Sequence, residues 1–164
     1  MTFVQAVKSG FQNALNFQGR SRRPEYWWFF LFVFLGAFAI GAIEHAALGG
    51  QQWLTRIFQL IVFLPFLAVA WRRLQDTGRP GWWVLLPSAV VIASAVVAGS
   101  ISRQMMLRLV DGTTPPESAM MGGQASLVLL LAVLQVVAGA VIIWWMSRPS
   151  QRGANAYGAE PKVR

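Results

Sequence analysis

The sequence predicts an all-α membrane protein whose four transmembrane helices form two helical hairpins, preceded by a short amphipathic interfacial helix. Three observations support this fold class. Hydrophobic residues make up 55% of the 164 positions and charged residues only 12%, with a mean hydropathy of +0.49. The apolar residues are concentrated in four long runs, each close to the length that crosses a bilayer. Basic residues and tryptophans cluster at the ends of these runs.

The first segment of the chain has the pattern of an amphipathic helix. Between residues 2 and 16, apolar side chains recur at steps of three and four residues, and polar side chains occupy other positions. The segment lacks the apolar core and cleavage site of a signal peptide. We therefore expect it to lie in the membrane interface, with its apolar stripe against lipid or against the helices. The stripe comprises Phe3, Val7, Phe11, Ala14 and Leu15.

Each of the four apolar runs qualifies as a membrane span. Arg56 lies near one end of the second run, where its side chain can reach the interface. Pro87 lies in the second turn of the third run, where we expect a kink. The runs belong to one transmembrane domain over residues 1–148, followed by a cytoplasmic tail over residues 149–164. We place the spans at about residues 27–44, 53–71, 82–101 and 125–146.

The distribution of basic residues predicts that both termini lie in the cytoplasm. Lysine and arginine accumulate in cytoplasmic loops because they resist translocation. With the amino terminus inside, only Arg56, Arg103 and Arg108 fall on the outer side. The basic residues on the cytoplasmic side are Lys8, Arg20, Arg22, Arg23, Arg72, Arg73, Arg79, Arg148, Arg152, Lys162 and Arg164.

The tryptophans agree with this orientation. Indole rings prefer the headgroup level of a bilayer, so tryptophans at span ends act as interfacial anchors. Trp53 is the exception that falls at an outer end. The anchors predicted at cytoplasmic ends are Trp27, Trp28, Trp71, Trp82, Trp83, Trp144 and Trp145.

Two arginine-rich segments carry the candidate binding site, one before the first span and one, predicted as a loop from Arg72 to Gly81, before the third. Arg72 or Arg73 can pair with Asp76 at helical spacing, and Glu25 can join them. Because arginine binds phosphate in a bidentate manner, we predict a cytoplasmic site for anionic headgroups or another phosphate ligand. A second interpretation is that these charges only set the topology. The candidate residues are Arg22, Arg23, Glu25, Arg72, Arg73, Asp76 and Arg79, with Gly78, Pro80 and Gly81 forming the turn.

Several other functions have little support in the residues. Cysteine is absent and histidine occurs once, so no metal site and no cofactor are expected. No catalytic constellation or phosphate-binding glycine loop is found, which argues against an enzyme. The net charge of +8 follows from the positive-inside rule, and no nucleic-acid partner is expected. Glu44 and His45 are adjacent and do not face each other, so we expect a solvated helix end there.

The arginine-rich segments also carry a family resemblance. Residues 17–28 read FQGRSRRPEYWW, residues 72–83 read RRLQDTGRPGWW, and residues 153–161 read GANAYGAEP. In this order they resemble the domain-of-unknown-function 805 family of bacterial inner-membrane proteins. The resemblance implies a small multi-pass protein of the bacterial cytoplasmic (inner) membrane, and it implies no particular reaction. It also implies that the tail docks onto the cytoplasmic face.

We interpret the chain as a non-enzymatic accessory protein whose arginine- and tryptophan-rich cytoplasmic face binds anionic phospholipid or a membrane-protein partner. Each surface arginine can contribute about 1 kcal/mol toward an anionic membrane. One alternative is a small transporter or channel that forms a homo-oligomer, because four short spans enclose little cavity. Another is a lipid-modifying enzyme in which Asp76 acts on a phosphate. The arginines taken as surface groups are Arg22, Arg23, Arg72, Arg73 and Arg79.

Overall fold

The computed structural model describes residues 1–112 and 123–161, and within these residues the fold is helical. A 3-10 turn, Gly81–Val84, precedes the fourth helix. The predicted breaker at residues 113–116, Lys162 and Arg164 lie outside the described residues, as do the side chains of Met105, Arg108 and Leu109. The helices are α1 (Phe3–Gln12), α2 (Arg23–Ala47), α3 (Trp53–Asp76), α4 (Leu85–Val110) and α5 (Gly123–Ser147).

Four stretches of the described chain are long and apolar enough to cross a membrane, which confirms the predicted number of spans. Most of their large apolar side chains are exposed, as expected for residues that face lipid. Each helix ends beyond the predicted limit of its span, and α2 and α5 also begin before it. The stretches are Arg23–Ala47, Trp53–Asp76, Gly81–Gln104 and Ser126–Ser147.

Two local expectations need correction. The polar segment predicted as a loop from Arg72 to Gly81 is helical as far as Asp76, so the connection is shorter than expected. Burial of this last turn of α3 among other parts of the chain stabilises its helical backbone. Pro87 lies in the first turn of α4, because the 3-10 turn takes the place of the predicted first turn. A proline there removes no helical hydrogen bond, since the first amides of a helix have no intrahelical acceptor.

Helix α1 packs its apolar stripe against α2. Its amino terminus is capped reciprocally by Thr2 and Gln5. Phe3 makes an edge contact with Trp28, and Phe11 with Phe29, at centroid distances of 6.0 and 5.6 Å. Phe3 and Phe11 of the stripe therefore face the protein, which is one of the two expected positions, whereas Ala14 and Leu15 lie beyond the end of α1 and Leu15 is exposed. The interfacial location of α1 stays a prediction.

Helices α2 and α3 pack along their length, with Tyr26, Phe29 and Val62 among the buried side chains. At Gly36 the helices approach so closely that an added Cβ would lie 2.5 Å from the ring of Phe58. The pairing of α4 with α5 as a second hairpin stays a prediction. The chain divides into two compact units, Met1–Val84 with Trp145–Arg164, and Leu85–Trp144.

Gly81→Ala is expected to destabilise the first unit by about 1–3 kcal/mol through overpacking. Gly81 is buried, and an added Cβ would lie 2.1 Å from Cδ1 of Trp71. Trp71 is itself held by an edge contact with Phe17, so its ring has little room to move. Denaturant titration in detergent measures the change. Gly139→Ala is the control, because an added Cβ there meets no atom within 4 Å, and an equal effect of both substitutions would contradict the packing argument.

Candidate functional site

Asp76, the last residue of α3, is the centre of a buried ionic cluster. Its side chain is fully buried, and so is that of Arg73, one turn earlier on the same helix. Arg73 donates from Nη1 to Oδ2 of Asp76, and Arg20 donates from Nε to Oδ1 at 2.9 Å. The hydroxyl of Ser150 also donates to Oδ2. We call Arg20, Arg73 and Asp76 the aspartate cluster. One carboxylate thus joins three distant parts of the chain.

A second ion pair lies beside the aspartate cluster. Arg72 Nη2 is 3.5 Å from Oε1 of Glu25, and the hydroxyl of Ser9 donates to the same oxygen at 2.8 Å. Arg72 also donates from Nε to the carbonyl of Ala68. Glu25 therefore connects α1, α2 and α3. The two acids that sequence spacing placed near Arg72 and Arg73 are both paired, and the structure assigns one to each arginine.

The segment after α5, residues 148–161, folds over this end of the helices, and we call it the tail. Arginine side chains hold its backbone by donating to carbonyl oxygens. Arg20 donates to Gln151 and Gly153, and Arg23 donates from Nε to Arg148 at 2.9 Å. The docking that the family resemblance implied is therefore present in the described residues.

The tail also satisfies the end of α3. The last carbonyls of a helix have no intrahelical partner and need other donors. The amide of Gln151 donates to the carbonyl of Asp76 at 2.9 Å, and the side-chain amide of Asn155 donates to Gln75 at 2.9 Å. Ser21 donates its amide to the carbonyl of Arg72 at 3.1 Å. The segment before α2 and the tail therefore lie at the same end of α3.

The expectation that all the candidate arginines form a surface is wrong for two of them. Arg73 is fully buried and Arg72 is 6% exposed. Both make ion pairs inside the protein, so neither presents its charge to a bilayer. Arg79 is partly buried, and this burial together with the positive charge of Arg148 lowers the pKa of its guanidinium below the ordinary value. Arg22 is half-buried, and Arg23 is exposed.

Arg20 is the site residue that the sequence analysis did not select. It lies in the first arginine-rich segment, two residues before Arg22, so the signal was present in the charge pattern. Nothing local distinguishes it, because its partner Asp76 is 56 residues away. Ser150 was missed for the same reason, since a hydroxyl in a polar tail carries no sign of its contact with Asp76.

Between the start of α2 and the tail lies an open cleft of about 280 Å³. Arg22 and Arg23 form one wall, and Glu160 and Pro161 form the other. Arg22 is the N-cap residue of α2 and makes no side-chain capping bond. The cleft therefore lies at the positive end of a helix dipole, next to two guanidinium groups, and this combination favours anions. We call it the Arg22–Arg23 cleft.

The predicted tryptophan anchors fall into two groups. Trp28, Trp82 and Trp144 are 39–55% exposed, as expected for rings at the headgroup level. The others pack within the protein. Trp83 contacts Trp145 at a centroid distance of 5.4 Å, and Trp27 and Trp71 contact Tyr26 and Phe17. The turn predicted at Gly78, Pro80 and Gly81 is present, and Gly78 adopts a positive φ of 78°.

At the opposite end of α2, the expectation of a solvated Glu44 is wrong. Glu44 is 1% exposed. Its Oε1 accepts the amides of Leu54 and Thr55 at 2.5 and 3.2 Å, and its Oε2 accepts the hydroxyl of Thr55 at 2.5 Å. It therefore caps the first turn of α3, where the N-cap residue Gln52 makes no side-chain bond. The short link between the helices places Glu44 over that turn, whereas His45 is exposed.

No cluster of three His, Cys, Asp or Glu side chains that could hold a metal ion occurs in the described part of the chain. A second polar cavity, of about 350 Å³, lies beside Glu44 and is lined in part by Thr55 and Gln59. The arginines at this end of the helices favour ion pairing and anion binding. The buried carboxylates there already accept bonds from arginine or hydroxyl groups.

Comparison with known proteins gives one family and two kinds of relative. The family described as "Protein of unknown function (DUF805)" matches residues 14–159. Inner membrane protein YhaH of Escherichia coli (strain K12) is 43% identical over 79 residues, covering 46% of this chain and 65% of YhaH. Inner membrane protein YhaI of the same strain is 41% identical over 83 residues, covering 51% of this chain and 70% of YhaI. The match thus spans slightly less than two thirds of YhaH. No solved structure gives a significant match.

Proposed function

Since the chain belongs to the DUF805 family, whose relatives YhaH and YhaI are inner membrane proteins, we propose that its arginine-rich end binds the headgroup of an anionic phospholipid in the Arg22–Arg23 cleft. The protein is then a non-enzymatic accessory component of the membrane. The observation that supports this most directly is the cleft itself, in which two arginines stand at the entry to a membrane span.

The location of the cleft suits a lipid headgroup. Arg22 and Arg23 begin α2, and the tryptophan pair at residues 27 and 28 follows within about one turn. Tryptophans mark the headgroup level of a bilayer, so a guanidinium one turn away lies at the depth of the phosphates. Arginine forms paired charge-assisted hydrogen bonds with phosphate oxygens. The cleft therefore places guanidinium donors at the depth of the lipid phosphates.

The expected orientation of the protein in the membrane also supports headgroup binding. The positive-inside rule places the arginine-rich end in the cytoplasm. The cytoplasmic leaflet is the anionic one, and each basic residue near its surface contributes about 1 kcal/mol to the attraction. The buried arginines are excluded from this role, because Arg72 and Arg73 are committed to Glu25 and Asp76. Arg22 and Arg23 are the arginines that line the cleft.

Replacing Arg22 and Arg23 together by glutamine is expected to weaken retention of phosphatidylglycerol about tenfold or more, since two charge contributions are lost. Native mass spectrometry of protein released from nanodiscs of phosphatidylglycerol or phosphatidylcholine measures the bound lipid. Arg56→Gln is the matched control, an exposed arginine at the other end of the span pair. Equal retention by the double variant and the control would overturn the proposal. A bare homo-oligomer in both lipids would favour the transporter alternative.

A further inference from the structure

We propose that Glu160 and Pro161 form a lid that occupies the Arg22–Arg23 cleft from within the chain, and that a phosphate-bearing headgroup displaces it. This inference rests on the proposed headgroup binding and adds its regulation. The lid is the part of the tail that follows Gly158, and it lies directly across the cleft from the two arginines. The cleft itself is open, but the carbonyl of Pro161 already takes two donors of the Arg22 guanidinium when no lipid is bound.

The contact between Arg22 and Pro161 resembles the contact that an anion would make. Two donors of one guanidinium, Nε at 3.2 Å and Nη2, converge on the single carbonyl oxygen of Pro161. A planar guanidinium offers this same pair of donors to a phosphate or carboxylate. A carbonyl is neutral, and hydrogen bonds to a charged oxygen are roughly twice as strong. A phosphate oxygen can thus replace the carbonyl with a gain in binding.

Glu160 supplies the negative charge of the lid. Its side chain lines the cleft, and its Oε2 accepts the amide of Gly153 at 2.7 Å. This bond closes a small loop in the tail, which is braced by the paired backbone bonds of Asn155 and Gly158. A carboxylate beside Arg22 and Arg23 opposes the entry of another anion by like-charge repulsion. Displacement of the lid therefore breaks the contact between Arg22 and Pro161 and the contact between Gly153 and Glu160.

Apart from the bond from Arg23 to the carbonyl of Arg148, the rest of the tail is held mainly by residues outside the cleft. Arg20 binds the carbonyls of Gln151 and Gly153, with a longer bond to Gly158, and Asn155 binds Gln75. These contacts anchor the tail to the aspartate cluster as far as Gly158. In contrast, Pro161 is held by Arg22 and Glu160 by Gly153. The lid can therefore leave while the anchored part of the tail stays docked.

Removal of residues 160–164 tests the lid. The truncated chain is expected to bind phosphatidylglycerol about threefold to tenfold more tightly than the full chain, because Arg22 no longer exchanges a carbonyl for the phosphate. The truncation also removes Lys162 and Arg164, and loss of those cations alone would weaken binding. The full-length variant with both of these residues changed to glutamine is the control for that charge. Nanodiscs with and without phosphatidylglycerol serve as the probe, and inorganic phosphate distinguishes a lipid site from a free-anion site.

Hydrogen exchange of the full chain provides a second measurement. Addition of phosphatidylglycerol is expected to increase exchange at the amide of Gly153, which loses its acceptor on Glu160, while the amides of Gln151 and Asn155 stay protected. The lid is overturned if the truncated chain binds no more tightly than the charge control, or if lipid leaves exchange at the amide of Gly153 unchanged. If the affinity for phosphatidylglycerol depends on Arg22 and Arg23 but is unchanged by the truncation, the lid alone is refuted. If the affinity is unchanged when both arginines are replaced, the proposed function and the lid are refuted together.

Discussion

Asp76→Ala is expected to lower the free energy of unfolding by about 3–5 kcal/mol, the largest effect of any substitution considered. The change leaves the guanidinium groups of Arg20 and Arg73 without their carboxylate in a site where both side chains are almost fully buried. A buried charge without a partner carries its full desolvation cost. The hydroxyl of Ser150 also loses its acceptor, so the tail is expected to detach.

Two measurements check this expectation. Denaturant titration in detergent gives the stability, and limited proteolysis reports whether residues 148–161 are still docked. Asp76→Asn is expected to have a smaller effect, because the amide oxygen can still accept one of the bonds. Asp111→Ala, at an exposed aspartate that follows α4, is the matched control. An Asp76→Ala protein as stable and as protease-resistant as this control would show that the aspartate cluster does not hold the tail.

The second large effect is expected at the other end of the span pair, where Glu44→Ala removes the cap of α3. The amides of Leu54 and Thr55 and the hydroxyl of Thr55 all lose their acceptor. Near the membrane surface, uncapped amides find fewer alternative acceptors than they would in bulk water. We expect a clear fall in the melting midpoint, with the amino-terminal turn of α3 fraying first.

The neighbouring substitution His45→Ala provides the control, because His45 is exposed and one position along the same helix. Thr55→Val removes only the hydroxyl bond and should produce an intermediate fall in Tm. Hydrogen exchange at residues 53–56 locates the effect in the first turn of α3. If the Glu44→Ala and His45→Ala variants have the same Tm, Glu44 contributes no more to the stability of the fold than an ordinary surface residue.

The experiment that sequence reasoning would have chosen for the binding face differs from the one that the structure supports. From the charge pattern alone, Arg72 and Arg73 are the obvious arginines to replace. In the structure, replacing them breaks two buried ion pairs, so reduced lipid retention would report loss of the fold. Arg22 and Arg23 line the cleft and pair with no buried acid among the described residues, so replacing them removes only their bonds to the carbonyls of Pro161 and Arg148.

Spacing along one helix predicted part of the site correctly. Asp76 lies three residues after Arg73, so the two side chains share a face of α3 independently of tertiary contacts. The proximity of Glu25 to Arg72 was also anticipated, because both belong to the arginine-rich ends of adjacent spans. In contrast, the roles of Arg20, Ser150 and Glu44 depend on contacts between segments that no periodicity relates.

The sequence by itself determined the helical membrane fold, the number of spans and the turn at Gly78. These features depend on local quantities, namely the length of an apolar run and the backbone preferences of glycine and proline, which do not change with the surroundings. Only the tertiary structure decided which arginines are buried, which acid each one meets, and that Glu44 caps α3. Those outcomes depend on where remote segments come together, and burial then decides whether a charge faces its partner or the membrane surface.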